Sequence, residues 1–281
     1  MGVARVGTVS VLGVGRMGSA LIQTFLSRRI LRPEKIIGTH HDPRRARQIH
    51  RALGITAVTD NRAAVARSDL VLLCVRPQQM PALLNEIADS ILPRHTVVSV
   101  AVGVPLSWLR RRLPRCGGLF HVHPPSQLTT GATGLSFLAR TRGSPAARLR
   151  QVTALFRGFG PVICVPEKRI DACAVFAGCS PAFLAHLGLL WAKLCGRFGI
   201  PPSIARQIVA ATLAGLSKAA EGGTAKFEQI VRNIATPGGV TEAGLRFLDK
   251  EGVEDILNAM VVHCLACIES IRSQLMSAYD S

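Results

Sequence analysis

The sequence predicts an α/β domain with a doubly wound, mostly parallel sheet, followed by an all-α domain. A glycine-rich motif at residues 13–18 lies between a strand pattern and a helical pattern. A continuous apolar run at residues 70–75 is typical of a strand buried on both faces of a parallel sheet, and residues 96–100 are predicted to form a second buried strand. Lys and Arg outnumber Asp and Glu by 23 to 6 in residues 1–165 and are balanced at 11 each in residues 166–281. We therefore place the domain boundary after residue 165.

The glycine-rich motif indicates a Rossmann domain that binds a dinucleotide. It follows a strand pattern at residues 8–12 and precedes a helical pattern at residues 19–27, which is the context that the motif requires. Gly13 permits a tight turn, Gly15 lets the backbone approach a pyrophosphate, and Gly18 lets the helix pack on the strand. The free N–H groups of the helix N-terminus then favour the phosphates. The predicted contacts of this motif are Gly13, Val14, Gly15, Arg16, Met17 and Gly18.

The end of the second strand lacks the acid that an NAD site uses. Such a site places a carboxylate there to accept a hydrogen bond from the ribose 2′-hydroxyl. Here that place holds Thr39, His40 and His41. Asp42 comes too late along the chain and is predicted to cap the next helix.

Two arginines follow this strand end and favour NADP(H) over NAD(H). The guanidinium groups of Arg44 and Arg45 suit a 2′-phosphate, which an acid would repel. We therefore predict NADP(H) as the cofactor, with contacts from His40 and His41 and from these two arginines. The alternative for the arginines is a solvated helix face.

Composition and patterning argue against several other classes of protein. With 48% hydrophobic and 18% charged residues the chain can bury a sizeable core, which excludes a disordered chain. The net charge of +17 comes with only 5% aromatic residues and without a nucleic-acid-binding module, so no nucleic-acid partner is predicted. No secretory signal pattern precedes the first strand, and the eight cysteines lie mostly in apolar surroundings. We therefore expect reduced thiols and a cytoplasmic protein.

One segment of the second half resembles a membrane span and another resembles a metal site, but neither has all the features of such a segment. Residues 172–192 carry no formal charge and have the length of a membrane span. They include Pro181 and His186, so a buried or subunit-covered helix is predicted and no membrane partner. Cys264 and Cys267 have metal-ligand spacing but lie in a helical pattern without a second ligand pair, so no metal is predicted.

Motifs along nearly the whole chain resemble the pyrroline-5-carboxylate reductase family. Besides the glycine motif, residues 74–78 read CVRPQ where the family has A-V-K-P-Q, and residues 99–103 read SVAVG where it has S-I-A-A-G. The most specific match is residues 235–245, ATPGGVTEAGL, which closely resemble the family's T-S-P-G-G-T-T-x-x-G-L. Many dehydrogenases have the glycine motif, but few carry this late segment.

The resemblance implies a cofactor site and a homo-oligomer. In the family the Rossmann domain binds NAD(P)H and the helical domain dimerises, with each active site formed between one chain's Rossmann domain and its partner's helices. We therefore expect a dimer or a multiple of dimers formed through the C-terminal helices of residues 166–281. The further cofactor contacts that the resemblance implies are Asn61, Cys74, Val75, Arg76, Pro77 and Ala101.

The resemblance also implies a substrate site in the late segment. It places the substrate carboxylate over the turn formed by Thr236, Pro237, Gly238 and Gly239, with Thr241 beneath it as the catalytic residue that orients the ring nitrogen. Two glycines at a helix start expose backbone N–H donors, which favours an anion. The alternative is an ordinary Pro-Gly-Gly loop with Thr241 as a helix-start residue.

The predicted function is NADPH-dependent reduction of a cyclic imine carboxylate, 1-pyrroline-5-carboxylate to proline, in amino-acid biosynthesis. The single Tyr, Tyr279, lies in the tail, which excludes a Tyr/Lys mechanism in the body of the fold. His121 and His123 flank the family's nicotinamide-side loop and are candidates for assisting protonation.

Two segments depart from the family's pattern on the substrate side. Residues 123–127 read HPPSQ in place of M-P-N-T-P, and residues 177–183 read AGCSPAF in place of S-G-S-G-P-A-Y. The alternatives are therefore a different imine or a 2-oxo acid on the same scaffold, or an NADP-binding protein without turnover.

Overall fold

The computed structural model describes residues 6–220 and 223–277, which form two compact units. The first unit runs to Cys179 and resumes at Cys264, and the second comprises Ser180–His263. The boundary that we placed after residue 165 divides the predicted dinucleotide-binding domain from the predicted helical dimerisation domain. It stays a prediction. Tyr279 lies outside the described residues.

Within the described residues the first unit contains an eight-stranded sheet in the order β3-β2-β1-β4-β5-β6-β7-β8. Strands β1 to β6 are parallel, β7 is antiparallel to β6, and β8 is parallel to β7. The strand order reverses between β1 and β4, and ligands of such sheets bind outside the carboxyl ends of the strands at this switch point. The strands are β1 (Val9–Leu12), β2 (Ile36–Thr39), β3 (Thr56–Val58), β4 (Leu70–Leu73), β5 (Thr96–Ser99), β6 (Gly118–His123), β7 (Ser136–Arg140) and β8 (Val162–Cys164).

The central strands are buried on both faces, as predicted for residues 70–75 and 96–100. In β4, Leu70 and Leu72 pack in one hydrophobic core, whereas Val71 and Leu73 pack in the other. This alternation follows from the two-residue repeat of a strand, which sends successive side chains to opposite faces. Helices cover both cores, and the predicted doubly wound α/β fold is confirmed.

The helices of the first unit connect these strands and continue beyond the sheet. Asp42 caps α2 through its Oδ1 atom, which accepts a hydrogen bond from the Arg44 N–H at 2.8 Å, as predicted. After α7 the chain forms a π-helical stretch, Ala174–Cys179. The helices are α1 (Arg16–Ser27), α2 (Pro43–Leu53), α3 (Asn61–Ala66), α4 (Met80–Ile87), α5 (Leu106–Arg112), α6 (Ala146–Arg157) and α7 (Glu167–Cys173).

The second unit is all α-helical in its described part, as predicted. It contains α8 (Ser180–Arg197), α9 (Pro202–Ala219), α10 (Thr224–Ile234) and α11 (Val240–Lys250), and α12 (Val253–Ser277) begins in it. Large apolar side chains of these helices are exposed in the single chain, among them Leu189, Trp191 and Phe198. An exposed apolar surface of this extent indicates that another surface covers it.

Two helical segments are long and apolar enough to cross a membrane by length and composition alone. These are Glu167–Arg197, with a mean hydropathy of 1.7, and Val253–Ser277, with a mean hydropathy of 1.3. Apolar helices that pack against a second subunit have the same composition, so this property does not distinguish a membrane from a subunit interface.

Candidate functional site

A cavity of about 1040 Å³ lies at the carboxyl edge of the sheet, where the strand order reverses. Its walls come from the residues that end or follow β1 to β6, so segments that are far apart in sequence meet there. This is the place that the sheet topology assigns to a ligand. The predicted cofactor residues that line this cavity are Gly13, Gly15, Arg16, Met17, His40, His41, Asn61, Cys74, Val75, Arg76, Pro77 and Ala101.

A smaller cavity of about 370 Å³ lies beside α1 and α2 and takes two further predicted residues, Val14 and Arg45. Gly15, Arg16 and His40 line both cavities, so the two are neighbours. Gly18 and Arg44 line neither cavity. The structure therefore divides the predicted arginine pair, with only Arg45 at a cavity wall.

The glycine turn after β1 has the shape that a bound phosphate requires. Gly13 has φ +89°, and a Cβ atom there would lie 2.6 Å from Cγ1 of Val75, so only glycine fits. A Cβ atom on Gly15 would meet nothing within 4 Å, which leaves open space at the N-terminus of α1. The first turn of α1 carries no acidic side chain. The residues present therefore fit a dinucleotide whose pyrophosphate is held by backbone N–H groups.

A chain of hydrogen bonds links this turn to an acid in the cavity wall. The Gly13 N–H donates to Oγ1 of Thr39 at 3.2 Å, and the Thr39 hydroxyl donates to Oδ1 of Asn61 at 2.6 Å. The Asn61 amide donates in turn to Oε2 of Glu86 at 2.8 Å. All four residues line the larger cavity, so the chain fixes the orientation of the Asn61 amide there. Glu86 was missed by the sequence analysis because it lies in α4, outside every motif.

Two histidines at the end of β6 are neutral at physiological pH. Burial is the main cause that lowers the pKa of His121 to about 3, with smaller contributions from the neighbouring His123 and Arg272. Burial lowers the pKa of His123 to about 4. A neutral imidazole does not deliver a proton as an imidazolium would, which argues against the candidate role of these histidines in protonation.

The larger cavity and the π-helical stretch meet at His123. This residue lines the cavity, and neither of its ring nitrogens has a hydrogen-bond partner among the described residues. A Cβ atom on Gly178 would lie 2.3 Å from Nε2 of His123, so glycine is needed there for the ring to fit. The two segments that depart from the family's pattern, residues 123–127 and 177–183, are therefore in contact at this point.

The late Pro-Gly-Gly segment, in the second unit, forms a tight turn. The Gly239 N–H donates to the carbonyl oxygen of Thr236 at 2.9 Å, Pro237 follows Thr236, and Gly238 has φ +73°. Proline followed by a residue of positive φ is the signature of a type II turn. The glycine at this third position is therefore required by the turn itself.

The prediction that both glycines of this turn expose free N–H donors is wrong. The Gly239 N–H bonds within the turn, and the Gly238 N–H donates to Oε2 of Glu242 at 2.8 Å. This hydrogen bond, together with the neighbouring Arg246, lowers the pKa of the Glu242 carboxyl. Thr241 is exposed in the first turn of α11. The assignment of residues 236–239 and Thr241 to the substrate stays a prediction.

The cysteines do not form a recognisable redox or metal centre in the described part of the chain. No disulfide bond joins any two of the cysteines there, and no group of three or more His, Cys, Asp or Glu residues there could hold a metal ion. Burial raises the pKa of Cys74, in the cavity wall, to about 12, so this side chain remains a thiol.

Comparisons with known proteins find matches for both parts of the chain. Residues 8–103 match a family described as "NADP oxidoreductase coenzyme F420-dependent", and residues 167–270 match "Pyrroline-5-carboxylate reductase dimerisation". The pyrroline-5-carboxylate reductase of Corynebacterium melassecola is 27% identical over 249 residues, which are 88% of this chain and 92% of the relative. That of Thermus thermophilus is 29% identical over 245 residues, which are 87% of this chain and 91% of the relative.

Solved structures share the fold over nearly the full length. The pyrroline carboxylate reductase of Plasmodium falciparum, solved with NADP bound, has a TM-score of 0.84 at 19% identity and covers 96% of this chain and 100% of its own. The 1-pyrroline-5-carboxylate reductase of Streptococcus pyogenes has a TM-score of 0.81 at 23% identity and covers 94% of this chain and 98% of its own. From the two family matches and the full-length relatives, we conclude that the chain belongs to the pyrroline-5-carboxylate reductase family.

Proposed function

We propose that this protein reduces 1-pyrroline-5-carboxylate to proline with NADPH, as an enzyme of proline biosynthesis. The observation that carries the proposal is the larger cavity, where the glycine turn meets the residues that follow β4 and β5. These are the segments that resemble the family's cofactor contacts. Curated relatives named for this reaction match along nearly their whole length.

The cofactor is proposed to lie in the larger cavity, with its pyrophosphate at the N-terminus of α1. Gly13 and Gly15 let the backbone approach the phosphates, and Arg16 and Arg76 add positive charge to the wall. Asn61, Cys74, Val75, Pro77 and Ala101 line the remainder. When bound there, NADPH supplies the hydride, and the contribution of the protein is to hold the acceptor carbon against it.

The substrate carboxylate is proposed to bind at the first turn of α11, beside Thr236, Pro237, Gly238 and Gly239. The Gly238 N–H already donates to the carboxylate of Glu242. The turn therefore binds a carboxylate oxygen of the chain itself, which supports its proposed role towards the carboxylate of a substrate. The Thr241 hydroxyl is proposed to orient the ring nitrogen. A cyclic imine protonated at nitrogen accepts a hydride without a strong general acid, which suits a site with neutral histidines.

The protein is proposed to act as a homo-oligomer in the cytoplasm, as a dimer or a multiple of dimers. Exposed apolar side chains of α8 and α12 and the match of residues 167–270 to a dimerisation domain support this assembly. The active site would then combine the Rossmann domain of one chain with the helices of its partner. That nucleic acids and membranes are not partners stays a prediction.

A second candidate function is reduction of a different imine, or of a 2-oxo acid, on the same scaffold. It is favoured by the contact between His123 and Gly178, because both of these segments depart from the family's pattern. A protein that binds NADP(H) without turnover remains the non-catalytic alternative.

The experiment that separates these functions is a substrate panel with NADPH oxidation as the readout. Pyrroline-5-carboxylate is expected to give the highest kcat/KM, above pyrroline-2-carboxylate and the piperideine carboxylates. A clear preference for one of the latter would overturn the primary proposal in favour of the second candidate. Tight NADPH binding without oxidation on any member of the panel would identify the non-catalytic alternative.

The divided arginine pair predicts different effects of two similar substitutions. Arg45→Ala is expected to weaken NADPH binding about tenfold and NADH binding little, because Arg45 lines a cavity beside the end of β2. Arg44→Ala is the matched control and is expected to change either affinity less than about twofold, because Arg44 lines neither cavity. Fluorescence titration of both nucleotides measures these affinities. Equal losses of NADPH and NADH in Arg45→Ala would show that this side chain does not contact the 2′-phosphate.

A further inference from the structure

We propose that Glu86 accepts a hydrogen bond from a hydroxyl of the adenosine ribose and that its charge weakens the preference for NADPH over NADH. The proposal rests on the function proposed above, and it concerns a residue that no motif of the sequence marks.

The position of Glu86 follows from its hydrogen-bonded neighbours. Asn61 accepts from the hydroxyl of Thr39, the last residue of β2, at 2.6 Å and donates to Glu86 at 2.8 Å. In a Rossmann sheet the ribose of the adenosine lies at the end of this strand, where an acid reads its hydroxyl groups. The acid absent from the end of β2 in sequence is therefore supplied in space by α4.

The carboxylate of Glu86 keeps capacity for a ligand. Oε2 accepts from Asn61, whereas an ionised carboxylate has two oxygens and about four acceptor positions. No Lys, Arg or His of residues 6–220 and 223–277 forms an ion pair with it. Glu86 is partly exposed and lines the larger cavity, so its remaining acceptor positions are accessible to a bound ribose.

The same charge acts against a phosphate on that ribose. A ribose hydroxyl donates to the carboxylate, whereas a 2′-phosphate carries negative charge and is repelled by it. Arg16, which lines both cavities, and Arg45, which lines the smaller one, would attract the phosphate, and Glu86 would oppose them. The balance between the positive charge of the arginines and the negative charge of Glu86 would set the ratio of the affinities for NADPH and NADH.

Removal of this charge is expected to increase selectivity for NADPH. Glu86→Gln keeps an oxygen that accepts from Asn61 but loses the charge, so the ratio Kd(NADH)/Kd(NADPH) is expected to rise about fivefold to tenfold. Asp89→Asn is the matched control, because Asp89 is an exposed acid three residues further along that does not line the cavity. This control is expected to change the ratio less than about twofold. Both dissociation constants are measured by nucleotide fluorescence on the full-length protein, with a thermal melt of each variant.

The outcomes separate this inference from the proposed function. If the unaltered chain binds both nucleotides and Glu86→Gln leaves the ratio unchanged, or changes it no more than Asp89→Asn does, Glu86 does not face the ribose. If the unaltered chain binds neither nucleotide, the proposed function itself fails. Because Glu86→Gln preserves the hydrogen bond to Asn61, its melting temperature is expected to stay close to that of the unaltered chain. If Glu86→Gln loses stability, Glu86→Ala serves as the second variant, because it also removes the charge, and a ratio that rises in neither variant overturns the inference.

Discussion

A Gly15→Leu variant is expected to fold with a loss of stability of at most about 1 kcal/mol and to bind NADPH at least about 100-fold more weakly. In the folded chain a Cβ atom at Gly15 meets nothing within 4 Å, and its φ of −93° is accessible to other residues. Loss of a glycine N-cap to leucine costs about 1 kcal/mol. The new side chain occupies the open space at the N-terminus of α1, where the pyrophosphate is proposed to lie. Thermal unfolding and fluorescence titration with NADPH measure the two effects separately.

Gly13→Val is the matched comparison in the same turn. Here the added Cβ atom would lie 2.6 Å from Val75 in a backbone of positive φ, so the variant is expected to lose stability as well as binding. A large binding loss with only a small stability loss in Gly15→Leu, and large losses of both in Gly13→Val, would place the ligand at Gly15. Normal NADPH affinity in Gly15→Leu would contradict the proposed cofactor position.

The parts of the fold that were predictable from sequence are those with strong local patterns. The continuous apolar run at residues 70–75 predicted a strand buried on both faces, because successive side chains of a strand point to opposite faces and here both sets are apolar. The glycine motif predicted the turn between β1 and α1 because a positive φ at Gly13 and close helix packing both require glycine. Residue 42 was correctly predicted as a helix cap, since its side chain acts two residues away.

The parts of the candidate site that were missed depend on contacts between distant segments. Glu86 lines the cavity and accepts a hydrogen bond from Asn61, and Gly178 packs against His123. The two residues of each pair lie far apart in the sequence and belong to no common motif or periodic pattern. The hydrogen bond from Gly238 to Glu242 was missed for a different reason. Two glycines before a helix predict exposed N–H groups only if no side chain of the first turn folds back onto them, and Glu242 does so.

The free energy of unfolding is expected to fall steeply between pH 6.5 and pH 4. Burial lowers the pKa of His121 from 6.5 to about 3 and that of His123 from 6.5 to about 4, and it lowers the pKa of His95 as well. Below pH 6.5, His121 and His123 take up protons in the unfolded chain, whereas in the folded chain both stay neutral until the pH approaches 4. The unfolded chain therefore binds more protons in this range, and stability is lost as the pH decreases. Between pH 7 and pH 4.5 each of the first two histidines contributes a loss of about 2 to 3 kcal/mol.

Variants of His121 test this source of acid sensitivity. His121→Asn removes the titrating ring. The slope of the unfolding free energy against pH, which gives the number of protons taken up on unfolding, is therefore expected to decrease by the equivalent of up to about one proton between pH 6 and pH 4.5. His41→Asn is the control for the exchange itself, because His41 is exposed, and the decrease in His121→Asn is expected to exceed any change in this control. Denaturant unfolding at several pH values and one fixed protein concentration gives both slopes, since the stability of an oligomer depends on concentration. An unchanged slope in His121→Asn would mean that His121 gains no proton on unfolding, and that it is therefore already charged inside the folded chain.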